Sequence, residues 1–171
     1  MKTQTVCVKL TSGEEIFAEL VADDKDPSLD EGLIKLYLPY TVSLTVESDT
    51  GTQFMMRPWS PFSDDKFYYI PGNNVVNISK LDDYHTQIYG SQVTKEEIND
   101  VQDKILAECR SGILSGTRYN DALETILGIF VRSSVKYGIA PPPLELVEKT
   151  FVEFIFNQRE RTIPLKNQPL Q

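Results

Sequence analysis

The chain has few of the residues that most often carry chemistry in a small protein. It has one histidine, His85, and two cysteines, Cys7 and Cys109. Two thiols and a distant imidazole do not supply a tetrahedral zinc set, so no metal is expected. The cysteines read as small buried hydrophobes in a reducing compartment. No apolar run approaches the ~20 residues that cross a membrane as a helix. The opening MKTQTVCVKL has no apolar core of signal-peptide length before its first charges. A cytoplasmic protein with no membrane partner is expected. Positive charge is also scarce: 17 Lys and Arg stand against 25 Asp and Glu, a balance of −8. The deficit sits at the front. Residues 1–90 hold 7 basic and 14 acidic residues, or −7, while residues 91–171 hold 10 and 11, or −1. Proteins that grip nucleic acid through its phosphates usually carry a basic face, which this front half lacks.

Catalytic signatures are missing too. No glycine-rich loop could cradle a phosphate, and His85 has no Ser or Cys nearby in sequence to form a triad. The paired acids Asp23-Asp24, Asp64-Asp65 and Asp82-Asp83 fall in turn-rich stretches and read as solvated caps and turns. Neither an enzyme nor a cofactor is expected.

What is present is a clear change of period. Thr5–Leu10 alternates, with Val6, Val8 and Leu10 on one face, which is a strand pattern. Ser12-Gly13 is a turn, and 16–21 resumes the strand. Residues 22–32 form an acidic loop. A long strand follows from Leu33, with Pro39 inside it, where a lost ladder donor calls for a bulge, bend or edge. Strands over 52–59, 66–70 and 74–78 complete the set, the last two joined by Pro71-Gly72-Asn73-Asn74. The asparagines suit left-handed turn positions. Short antiparallel spacing of this kind predicts a small bent five-stranded barrel.

Beyond residue 90 the repeat becomes helical. Thr94-Lys95-Glu96-Glu97 reads as a capping box that opens a helix. Its stripe is Ile98, Val101, Ile105 and Cys109, and Ser111-Gly112 ends it. Tyr119, Leu123, Ile126, Phe130 and Tyr137 mark a second helix, stopped by Gly138. Pro141-Pro142-Pro143 opens a third, with Leu144, Val147, Phe151, Phe154 and Ile155 on one face. The expected organisation is α+β, with a β-barrel over 1–91 and a helical extension over 92–171.

Two stretches resemble the Sm-like (LSm) fold. VKLTSGEEIFAEL (8–20) resembles the family's first motif, a strand, a Leu-x-x-Gly turn and a strongly bent strand. YIPGNNVVNI (69–78) resembles its second motif, the corner between its last two short strands. FMMRPWSPFSDD (54–65) and SKLDDYHTQIYGS (79–91) are similar to Sm-like proteins from phages of marine cyanobacteria. The resemblance implies a barrel left open between its last two strands and closed by neighbouring copies in a ring. The edge residues would then be Phe67, Tyr69, Ile70, Val75, Val76 and Ile78, and a lysine at Val75 would break the ring.

The family also implies RNA binding, by stacking on an aromatic and an Arg. Here the Arg position is Pro71, which has neither charge nor donor. Tyr40 could stack, Asn73 and Asn74 could hydrogen bond, and the basic tail with Arg159 and Arg161 could meet phosphate. The acidic front half disfavours RNA. A non-catalytic homo-oligomeric ring, phage-encoded and serving as a binding or assembly module, is the expected function. The clustered aromatics Trp59, Phe62, Phe67, Tyr68 and Tyr69 fit a core role and could also serve a protein partner.

Overall fold

The computed structural model describes residues 2–22, 32–47, 51–110 and 116–162. The chain divides into two compact units, Met1–Tyr89 and Gly90–Gln171. The first contains β1 (Lys2–Leu10), β2 (Glu15–Ala22), β3 (Leu33–Glu47), β4 (Gly51–Pro58), β5 (Phe67–Pro71) and β6 (Val75–Lys80). It also contains the first turns of α1 (Asp83–Arg110). The rest of α1 belongs to the second unit, with α2 (Gly116–Tyr137) and α3 (Leu144–Thr162).

All strand pairings are antiparallel, in the order β4-β3-β2-β1-β6, and β5 also pairs with β3. β3 is long enough to hold two partners in line. Its residues 33–37 pair with β5 and its residues 40–47 with β4. β4 and β5 are therefore two pieces of one strand position, which reconciles six strands with a five-position barrel.

Pro39 marks the join. Leu38, just before it, has φ of 43°, the one positive value at a non-glycine residue among those described. The β2–β3 register slips opposite it, between Phe17 and Glu19. This is a β-bulge, which bends the strand and sharpens its twist. The Leu38 amide donates to the Lys66 carbonyl at 2.8 Å, and the Trp59 amide donates to the Pro39 carbonyl at 2.9 Å. The segment between β4 and β5 thus leaves the sheet and rejoins it at the kink, and both ends stay hydrogen-bonded there. Pro39 has no amide to lose.

Alternation along β1 and β2 puts Val6, Val8, Leu10, Ile16 and Ala18 inside with Leu36 and Ile70. Trp59, Val75 and Ile78 pack partly against this core. Phe17 and Tyr40 face each other on the opposite side of the sheet and are buried too. The start of α1 covers them: the Phe17 ring lies 5.7 Å from His85, and Tyr40 meets Tyr89 edge-on at 6.0 Å.

The helix α1 opens at Asp83, well before the expected Thr94. Asp82 is its cap, its Oδ1 accepting the His85 amide at 2.8 Å. Thr94 is instead buried in mid-helix. Its hydroxyl donates to the Gly90 carbonyl at 2.7 Å and lies 2.6 Å from the Ser133 hydroxyl. A hydroxyl has a single proton, so Ser133 donates to Thr94 in that arrangement. The capping-box pattern is local, and the strongly helical continuity from Asp83 overrides it.

Gly138 ends α2 as expected, at φ of 69°, with its amide donating to the Ser134 carbonyl. The Pro143 carbonyl accepts the Leu146 and Val147 amides at the start of α3. Ile105, Ile126, Val147, Phe151 and Ile155 form the core of this unit. Leu144, assigned to the same stripe from its spacing, is the first residue of α3 and is exposed. Ser111-Gly112 and Asp23-Asp24 lie outside the described residues.

Candidate assembly interface

Phe67–Lys80 is not a hairpin. After β5, Gly72–Asn74 make one 3₁₀ turn and the chain leaves along β6. β5 is hydrogen-bonded to β3 and β6 to β1, but the two are not paired with each other. The turn is braced from outside: the Thr11 amide donates to the Asn74 carbonyl and the Gly72 amide to the Gly32 carbonyl, both at 2.9 Å. A Cβ at Gly72 would lie 3.0 Å from that Gly32 oxygen, a tight contact that a side chain there could make only if the neighbouring backbone gave by a few tenths of an ångström. Neither asparagine adopts the left-handed conformation that the sequence suggests for them. A 3₁₀ turn keeps ordinary φ values, and both side chains are exposed.

Each edge strand carries apolar side chains on its outer surface. On β5, Phe67 and Tyr69 share a face and are 42% and 44% exposed. The Lys35 ammonium, on β3, lies 5.1 Å from the Phe67 ring centre and 5.4 Å from that of Tyr69. The Tyr37 ring stands 5.1 Å from Phe67. On β6 the register against β1 shifts between Lys9 and Leu10, which leaves Val76 as the extra residue of a bulge, 62% exposed.

The other proposed edge residues sit differently. Ile70 is 4% exposed and belongs to the barrel core, while Val75 and Ile78 lean partly on it. Their side chains stabilise the barrel, and at these positions an interface could use only the backbone. Tyr40, suggested as a stacking surface, is 6% exposed. Buried and packed against Tyr89, its ring offers no open face to a base. The side chains of Arg159 and Arg161 lie outside the described residues.

Among the five clustered aromatics, Trp59 packs on the core and meets Tyr68 edge-on at 5.5 Å. Phe62 is fully exposed at the tip of the Ser60–Ser63 turn. Cys7 is half-buried, and burial, with Glu15 adding to it, pushes its thiol up, which disfavours the reactive thiolate. Among the described residues, no group of three or more His, Cys, Asp or Glu could hold a metal ion. Nor is any described helix long and apolar enough to cross a membrane.

A bent antiparallel barrel of five strand positions, left open between the strands on either side of a Gly-Asn-Asn corner, defines the Sm-like fold class. Residues 7–90 match the family model of the Sm-like domain. The front unit of this chain is therefore an Sm-like domain, followed by three helices. No curated protein matches the chain.

Proposed function

We propose that the protein assembles with copies of itself into a ring, β5 of one subunit pairing with β6 of the next, and that the ring serves as a non-catalytic binding or assembly module. The observation that carries this reading is the pair of edges that β5 and β6 leave open within one chain. Open edges with apolar side chains invite indiscriminate pairing unless something covers them. A head-to-tail contact between two different edges closes into a ring when its rotation permits. The reading includes the origin implied by the phage resemblance, with the ring acting in a host cytoplasm.

RNA is disfavoured as the ligand of the barrel. Tyr40 is buried, Pro71 stands where the family resemblance implies an arginine, and the front 90 residues carry −7. Native mass spectrometry of the purified chain tests the ring. A single closed multiple of the subunit mass is expected; a monomer that persists at high concentration overturns it.

A further inference from the structure

The Sm-like unit also has a groove of about 420 Å³. Its aromatic wall is a trio of rings. Phe17 and Phe54 lie 5.6 Å apart, and His85 is 5.7 Å from the first and 5.6 Å from the second. Leu44 stands directly across the strand pair from Phe54, is exposed, and extends the apolar surface. Glu14 and Glu15, beside the Gly13 turn, form the acidic side. None of the nine lining residues is Lys or Arg.

His85 is held in place, while the two carboxylates are only loosely engaged. Asp82 accepts from His85 Nδ1 at 2.7 Å, which fixes the imidazole against the two phenyl rings. Tyr84, exposed at the start of α1, packs edge-on to His85 at 5.2 Å. Glu14 accepts the Ser12 hydroxyl at 3.3 Å, and Glu15 meets Lys9 at 3.7 Å. Both contacts are exposed, and such contacts contribute little. An incoming cation can displace them at small cost.

We propose that this groove binds the guanidinium of an arginine in a basic segment of a partner protein. The inference gives the proposed binding module a class of partner, and it rests on that reading. A guanidinium is planar and weakly hydrated, so it can lie on the Phe54 ring while its fork reaches a carboxylate. A lysine ammonium has the charge but neither the plane nor the fork. The volume admits more than one side chain, so Leu44 can take an apolar neighbour of the arginine. The −7 balance of residues 1–90 attracts such a segment from a distance and repels a phosphate chain.

The test measures binding of labelled hexa-arginine, hexa-lysine and hexa-glutamate peptides to the full chain, by fluorescence anisotropy at low and moderate salt. Hexa-arginine should bind more tightly than hexa-lysine, and hexa-glutamate not at all. Glu14→Gln with Glu15→Gln should weaken hexa-arginine by about tenfold, the scale of lost charge-assisted hydrogen bonds. Phe54→Leu, which keeps an apolar side chain but removes the ring, should weaken it by about threefold. A control pair in the helices, Asp103→Asn with Glu124→Gln, removes the same charge and should change binding by less than about twofold. Equal loss in the control pair would show general attraction without a site and overturn the proposal. Absence of hexa-arginine binding at low salt would overturn it. Native mass spectra of the same samples separate the two readings. A monomer that binds hexa-arginine through Glu14 and Glu15 sustains the groove while sinking the ring.

Discussion

Tyr89 shows how one side chain can hold a kink. Its hydroxyl lies 2.9 Å from the Tyr37 carbonyl and 3.1 Å from that of Leu38, the residues at which β3 bends and changes partner. The ring is fully buried. Tyr89→Phe keeps the packing but removes the single hydroxyl proton that these two carbonyls share, a loss of about 1 to 2 kcal/mol of unfolding free energy in denaturant titration. An unchanged midpoint would mean that water replaces the hydroxyl. Asp82 acts at the other end of the same helical segment. The His85 amide and then its ring hold this carboxyl below its ordinary value of 3.8. A group whose pKa is lower in the folded state stabilises the protein above its unfolded pKa and loses that effect as pH falls through the folded value. Wild-type stability should therefore decline through this cap below about pH 4. Asp82→Ala should flatten that part of the acid limb and lower the melting temperature at neutral pH. An acid limb identical to wild type would remove the cap from the account.

At the scale of elements, legibility depends on how local the cause is. The alternation of β1, the glycine stop of α2 and the proline start of α3 are local, and each lies where the spacing puts it. Pro39 announced a bulge or bend. That it would also be the point where β3 passes from β5 to β4 depends on pairing with residues far along the chain, and no window of sequence contains both. The start of α1 was misplaced for the same reason. Asp82-Asp83 read as a turn, but His85 and Tyr89 after it pack against Phe17 and Tyr40, partners far away in the sequence. Within the candidate interface, the two strands were legible from composition. Which of their side chains face outward was not, because the β6 bulge shifts the alternation at Val76. The acidic and aromatic groove was invisible, since it joins a turn, three strands and a helix start. Gly90 has no local signature in the sequence either. A Cβ there would fall 2.3 to 2.6 Å from atoms of Tyr137, so α1 and α2 meet through a position that only glycine fits. Gly90→Ala should destabilise the helical unit by about 1 to 3 kcal/mol despite alanine's better helix propensity. Helical ellipticity during thermal melting would show it, and a raised melting temperature would mean that Tyr137 moves aside freely.

At the scale of the whole molecule, the test is whether the open edges are completed by another copy. Val75→Lys, the substitution that the sequence alone suggests, is a poor probe, because Val75 leans on the barrel core and a lysine there would disturb folding and assembly together. Val76 separates the two. It is exposed, it sits on the β6 edge, and within its own subunit the bulge frees it from the alternating face. Val76→Lys places a charge where a neighbouring β5 would bring Phe67 and Tyr69, an apolar surface already next to the Lys35 ammonium. Burying a second ammonium there without an anion is unfavourable, and the charge resists strand pairing even if the side chain turns aside. Subunit stability should stay within about 0.5 kcal/mol, as for other exposed substitutions. Val131→Lys, an equally exposed change on α2, controls for added charge. Light scattering should then give a multimer for wild type and Val131→Lys, and the subunit mass for Val76→Lys. If all three have the same mass, β6 is not the assembling edge. If Val76→Lys also loses its cooperative unfolding transition, the bulge belongs to the subunit's own core, and the edge must be probed from Phe67 instead.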